Sequence, residues 1–135
     1  MIEPAGGMIP FLCHVFLILF GGFFGLNFAF SNNFVQKSIG YDNIQATYMG
    51  RPLGFLMIGL VLIAIAALFQ FGGIDIESAN GVFAALFIFT VFAFLYNLSL
   101  TMNILPTHDG NPHHIKNAIR PLIPMVVILI RYFTL

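Results

Sequence analysis

The sequence predicts an all-α fold, an integral membrane bundle of four transmembrane helices with a short interfacial helix before the last span. Two observations carry this prediction. Hydrophobic residues make up 59% of the chain and charged residues only 7%, whereas a soluble domain carries about 25% charged residues. Residues 4–36, 52–74 and 78–108 contain no Asp, Glu, Lys or Arg, and each stretch is longer than the ~20 residues that cross a bilayer. The lipid bilayer is therefore the first predicted partner.

The first three spans belong to a single transmembrane domain that covers residues 1–135. We expect them at residues 8–30, 52–71 and 81–104. Pro52 suits the first position of the second helix because its missing N–H would be unpaired there anyway. Pro106 is expected to end the third helix.

The fourth span is the shortest of the predicted helices. Asn111 suits the N-cap of a short interfacial helix over residues 112–121, and Pro121 is expected to kink the chain. The stretch from Pro121 to the last residue covers only ~22 Å at 1.5 Å per residue, so the preceding turn must help to cross the bilayer. The fourth span is therefore predicted over residues 116–135.

Charged residues give an orientation. The basic residues expected among the lipid headgroups are Lys37, Arg51, Lys116, Arg120 and Arg131. The N-terminus and the second connection carry only the acidic residues Glu3, Asp75 and Glu77. The positive-inside rule then puts the N-terminus on the non-cytoplasmic side of a bacterial inner membrane or an organellar membrane. Arg131, near the last residue, is expected to extend its long stem to the outer surface.

Small residues recur at a spacing of four on the predicted helices. The pairs are Gly21 with Gly25, Gly50 with Gly54, and Gly81 with Ala85. Residues four apart share a helix face, and small ones let helix backbones approach closely in lipid. They predict helix-packing surfaces, either inside the bundle or against a neighbouring subunit.

His14 lies within the first span and needs a polar partner there. Three interpretations are open. It can hydrogen-bond to a neighbouring helix, it can bind a haem or chlorin cofactor together with other subunits, or it can transfer protons. The other histidines fall near the opposite membrane surface, so two histidines of this chain do not suit one haem.

The stretch "THDGNPHHIKNAIRP" holds the other three histidines. Its candidate metal ligands are His108, Asp109 and His113. His113 and His114 would point about 100° apart on a helix, which does not suit a shared ion. The alternative is a polar loop over anionic headgroups, with Lys116 nearby.

One segment resembles a known family. The chain reads "LILFGGFFGLNFAF", then a polar loop, then "ATYMGRPLGFLMIGLVLIAIAAL". This layout resembles small bacterial four-helix membrane proteins of the DoxX-like sort, in which an Arg-Gly-containing segment opens the second span. The resemblance covers about the first 70 residues. It implies a four-helix bundle and no particular activity.

No nucleotide-binding, hydrolase or metalloprotease motif occurs, so no catalytic residue is assigned. The balanced charge, five basic against five acidic residues, gives no indication of a nucleic acid partner. We expect a small accessory subunit of a larger membrane complex, respiratory or photosynthetic, that assembles with other membrane subunits as a hetero- or homo-oligomer. One alternative is a stand-alone membrane enzyme or small-molecule carrier with a site near His14, Arg51 or the loop from His108 to His114. A second is a pigment-, haem- or quinone-binding subunit whose phenylalanines line the ligand. The candidate bound molecules are accordingly a lipid, a quinone, or a chlorin or haem.

Overall fold

A computed structural model describes the chain over residues 3–34, 44–105 and 115–135. It confirms the predicted all-α four-helix fold. The helices are α1 (Met8–Phe30), α2 (Ile44–Phe69), α3 (Ile76–Thr101) and α4 (Lys116–Thr134). Each is long and apolar enough to cross a bilayer. The protein is therefore a small integral, multi-pass membrane protein.

Two helices begin earlier than the sequence predicts. α2 begins at Ile44, so Pro52 lies inside the helix and not at its first position. Membrane helices tolerate such a proline because neighbouring groups satisfy the freed carbonyl. α3 begins at Ile76 because Asp75 caps it, and the Asp75 carboxylate accepts a hydrogen bond from the Ser78 backbone N–H at 3.0 Å.

The fourth helix is continuous from Lys116 to Thr134 and contains both Pro121 and Pro124. Residues 112–114 of the expected interfacial helix lie outside the described residues. Ile115 is the N-cap of α4 and residues 116–121 are its beginning, so in the described part the interfacial helix and the last span are one element.

The helices form a ring in which consecutive members run antiparallel. α1 packs most extensively against α2, and α3 against α4, while α2 and α3 touch least among the adjacent pairs. α4 also packs against α1, which closes the bundle on that side. Among its core residues are Leu17, Ala64, Phe83 and Ile128, one from each helix.

The contact between α1 and α2 depends on small residues. A Cβ atom at Gly54 would overlap the backbone nitrogen of Ala29 and lie 2.7 Å from the carbonyl oxygen of Gly25. Beside this contact, the Arg51 guanidinium donates hydrogen bonds to the Ala29 carbonyl at 2.6 Å and to the Asn32 side-chain oxygen at 3.0 Å. The two backbones therefore meet directly, and Arg51 caps the end of α1.

Candidate functional site

A cavity of about 750 Å³ lies among the four helices. Its volume falls within the roughly 300–1,000 Å³ that is usual for small-molecule sites. Along α2 its wall runs from Ala46 to Leu60, which corresponds to a length of ~21 Å at the helical rise per residue. The cavity is thus long and narrow, and it runs parallel to the helices.

One wall of the cavity is a row of phenylalanine rings on α1. Phe20, Phe24 and Phe28 are four residues apart and share a helix face. The ring centroids are 4.8 Å apart for the first pair and 6.4 Å apart for the second. This row gives the cavity a continuous aromatic surface.

The cavity opens to the membrane between α2 and α3. Met49, Leu56 and Phe89 line it, yet their side chains are 80%, 61% and 47% exposed. Among the helices that are adjacent in the ring, these two also touch least. A lipophilic molecule can therefore enter sideways from the bilayer.

The two ends of the cavity differ in polarity. Asn97, Asn117 and Arg120 line the end near the start of α4. The Asn97 amide is held by a hydrogen bond of 2.7 Å that it donates to the Ala93 carbonyl. The opposite end is apolar, with Leu17 and Ile128 in its wall. The cavity is therefore amphipathic along its length.

A second polar feature lies beyond the apolar end of the cavity, where Arg131 is completely buried. This differs from the expectation that Arg131 extends to the membrane surface. Pro124, Ile128 and Arg131 lie on one face of α4, and all three are buried. Because that face is turned into the bundle, the Arg131 stem runs inward, and its guanidinium carbon lies 4.7 Å from the centroid of the Phe83 ring.

His14 is fully buried beside the same phenylalanine. Its Nε2 atom donates a hydrogen bond to the Ala64 carbonyl at 2.8 Å, because a carbonyl oxygen can only accept. Its ring meets the Phe83 ring edge-on, with centroids 4.9 Å apart. His14 therefore makes the interhelical hydrogen bond that one of its three interpretations requires. It does not line the large cavity.

The other predicted site residues are dispersed. Lys37, His108, Asp109, His113 and His114 lie outside the described residues. Arg51, Lys116 and Arg120 lie at the end of the bundle where α2 and α4 begin. The described acidic residues Glu3, Asp75 and Glu77 lie at the other end. The two ends of the described chain therefore differ in the sign of their exposed charge.

The small-residue pairs also separate. Gly21, Gly25 and Gly54 lie in the contact between α1 and α2, where an added Cβ would meet atoms of the other helix. Gly50 and Ala85 line the cavity. Gly81 is exposed, and a Cβ there would have no atom of the structure within 4 Å. Only the first group serves close packing inside the described bundle.

A ligand site lined by phenylalanines was the second alternative from the sequence, but its place among the helices was not predicted, although one signal was present. The phenylalanines at positions 20, 24 and 28 place three rings on one face of a helix. That spacing is equally compatible with a packed helix contact. Only the separation of α2 from α3 turns it into the wall of a cavity.

The chain matches no known protein family, no curated protein and no solved structure. The resemblance to DoxX-like proteins therefore stays a prediction. What the structure itself identifies is a four-helix, multi-pass membrane protein with an amphipathic cavity open to the bilayer.

Proposed function

We propose that this protein binds a chain-like lipophilic molecule, a lipid or an isoprenoid quinone, in its central cavity. The observation that carries the proposal is the cavity of about 750 Å³ with its row of phenylalanine rings. Apolar surfaces of this kind favour apolar chains through close dispersion contacts. The lateral opening gives such a molecule a route from the bilayer.

The polarity of the cavity supports one orientation of the bound molecule. Its polar head lies near Asn97 and Arg120, and its apolar chain extends toward Leu17 and Ile128. The cavity length of ~21 Å suits an extended chain better than a flat macrocycle. The described wall also contains no histidine, which favours a chain-like molecule over a haem or chlorin held by an axial histidine.

Identification of the co-purifying lipophiles tests this proposal. The protein is purified in a mild detergent, extracted with organic solvent and examined by mass spectrometry. We expect at least one lipid or quinone species to be enriched over its fraction in the host membrane. Ala93→Phe fills the cavity wall and should abolish the enrichment. Ile88→Phe, on the exposed side of the same helix, should retain it. Identical profiles for the wild type and Ala93→Phe would refute the proposal.

A second candidate function, an accessory subunit of a larger membrane complex, is favoured by Gly81. Gly81 is exposed on α3, and an added Cβ there would meet no atom of the structure within 4 Å. Small residues on an outward face allow the helix of another subunit to approach closely. Mass spectrometry of proteins purified in mild detergent tests this. Gly81→Leu should release a stoichiometric partner that Ile88→Leu retains, and a wild-type preparation without any such partner would rule the function out.

A further inference from the structure

Arg131 is enclosed by three helices without the usual partner of a buried cation. Its side chain has no exposed surface, and Nε and both terminal guanidinium nitrogens have no hydrogen-bond partner among the described residues. No carboxylate of the described chain therefore accepts a hydrogen bond from it. Arginine stays charged in proteins, so five N–H donors and a full positive charge are left unmatched.

The surroundings of Arg131 compensate for only part of this charge. The guanidinium carbon lies 4.7 Å from the Phe83 ring centroid and 5.9 Å from that of Tyr132. Aromatic faces attract cations, but they accept no conventional hydrogen bond from the guanidinium plane. The nearby His14 is fixed by its bond to Ala64, and its Nδ1 atom is likewise unpartnered within the described structure.

The site is close to one end of the bundle. Tyr132, the neighbour of Arg131, is level with Asn80, which is four residues after the first residue of α3 and so lies at a depth of ~6 Å along that helix. At this level the Tyr132 hydroxyl donates a hydrogen bond of 2.7 Å to the Asn80 carbonyl and joins α4 to α3. A small solute therefore has a short path from the aqueous phase, whereas a side chain of another protein cannot reach the enclosed guanidinium.

We propose that Arg131 is the binding residue of a buried site for a small monovalent inorganic anion of halide size, enclosed by α1, α3 and α4. The anion accepts hydrogen bonds from the guanidinium group and neutralises its charge. The face of the Phe83 ring attracts the guanidinium group, and the edge-on contact with the His14 ring holds the Phe83 ring in place. The site is independent of the lipophile cavity, since Arg131 does not line that cavity.

The test measures thermal unfolding in detergent at constant ionic strength while bromide replaces gluconate, which is too large for an enclosed site. A ligand that binds only the folded state raises the Tm in proportion to the logarithm of its concentration once the site is saturated. We expect a rise of a few degrees for the wild type. Arg131→Met should abolish the rise, and Lys116→Met, which removes an exposed cation at the other end, should leave it unchanged.

A second test compares the Tm of the wild type with the Tm of Arg131 variants in each salt. Removing an uncompensated buried charge is expected to stabilise a fold, so in gluconate Arg131→Met should have a higher Tm than the wild type, and bromide should narrow this difference. Arg131→Lys retains the charge and should retain part of the bromide effect. If Arg131→Met does not fold, crystals soaked in bromide decide the question by an anomalous peak beside the guanidinium group. A wild-type Tm that is the same in both salts, an equal bromide effect in Arg131→Met, or crystals without that peak would overturn the proposal.

Discussion

The contact between α1 and α2 and the gap between α2 and α3 show two ways in which one helix meets its neighbours in lipid. Against α1, Gly54 lets the backbone of α2 reach that of Ala29. Against α3, the larger side chains of Leu53 and Leu56 face a cavity. Lipid offers no hydrophobic driving force between helices, so close backbone approach has to supply the attraction. Gly50 of α2 and Ala85 of α3 also line that cavity, so small residues alone do not bring these two helices together, and the gap leaves room for a molecule.

Gly54→Ala should disrupt the close contact between α1 and α2, and we expect it to lower the free energy of unfolding more than any other change considered below. The new Cβ would meet backbone atoms of Ala29 and Gly25, which cannot move without shifting α1. We expect a loss of about 3 kcal/mol in the free energy of unfolding, measured by reversible unfolding in mixed micelles. The matched control is Gly59→Ala on the same helix, where a Cβ has open space. It should be neutral or stabilising by up to ~1 kcal/mol, and equal losses at the two positions would show that the close contact is not what matters.

Arg51→Met should weaken the same contact between α1 and α2 without adding side-chain volume. It removes the hydrogen bonds to the Ala29 carbonyl and the Asn32 side chain. Hydrogen bonds to charged groups contribute about 1.5–3 kcal/mol, and because Arg51 is half-buried we expect a loss near the lower limit. Arg51→Lys can keep one of the two bonds and should fall between the wild type and Arg51→Met. A lysine variant no better than the methionine variant would contradict this role, and the same unfolding experiment measures it.

Ala93→Leu tests the gap between α2 and α3. Ala93 lines the cavity, so three added carbon atoms find space, and we expect a change within about 0.5 kcal/mol. Ala64→Leu adds the same atoms at a position that is 2% exposed in the core, and overpacking there should cost about 2 kcal/mol. Similar costs at the two positions, again by unfolding in mixed micelles, would mean that the gap between α2 and α3 is closed in solution.

Asp75, in the turn that joins α2 to α3, should give the smallest effect. Its carboxylate accepts hydrogen bonds from the Ser78 backbone N–H and hydroxyl, and these bonds hold the pKa of the carboxyl below its ordinary value. Since the folded state has the lower pKa, the stabilisation is complete above the ordinary carboxyl range and is lost as the pH falls through the folded pKa. Unfolding measured against pH should show this acid loss in the wild type and not in Asp75→Asn. An unchanged acid limb in the variant would assign the loss to another group.

The three charge-free stretches predict the first three helices, and the apolar stretch that follows Pro121 predicts the fourth. Neither signal predicts where α2 begins. Because Gln45 and Thr47 are polar, the sequence places them before the second span. In the structure Thr47 is buried within α2 and donates a hydrogen bond to the Asn32 carbonyl. Satisfying polar groups in this way depends on tertiary contacts, which composition does not reveal. The same holds for the cavity, which arises from the divergence of two helices.

Arg131 is a different case, because the sequence contained the signal for its burial. Positions 124, 128 and 131 follow the spacing of one helix face, and Pro124 and Ile128 are both apolar. Reading Arg131 by its proximity to the end of the chain suggested a headgroup contact instead. Helical spacing is the better guide near a terminus, since a long side chain can extend in either direction.

Because Arg131 is enclosed, the exposed charges of the described chain are separated by sign between the two ends of the bundle. Apart from the enclosed Arg131, the charged groups that the described chain presents to one leaflet are carboxylates, and those that it presents to the other leaflet are ammonium and guanidinium groups. Such a molecule is a dipole set across the bilayer, and a transmembrane voltage acts on each charge with about 2.3 kcal/mol per 100 mV of potential crossed. Reversing its direction of insertion would carry every one of those charges through hydrocarbon, so these charges oppose inversion once the protein is inserted.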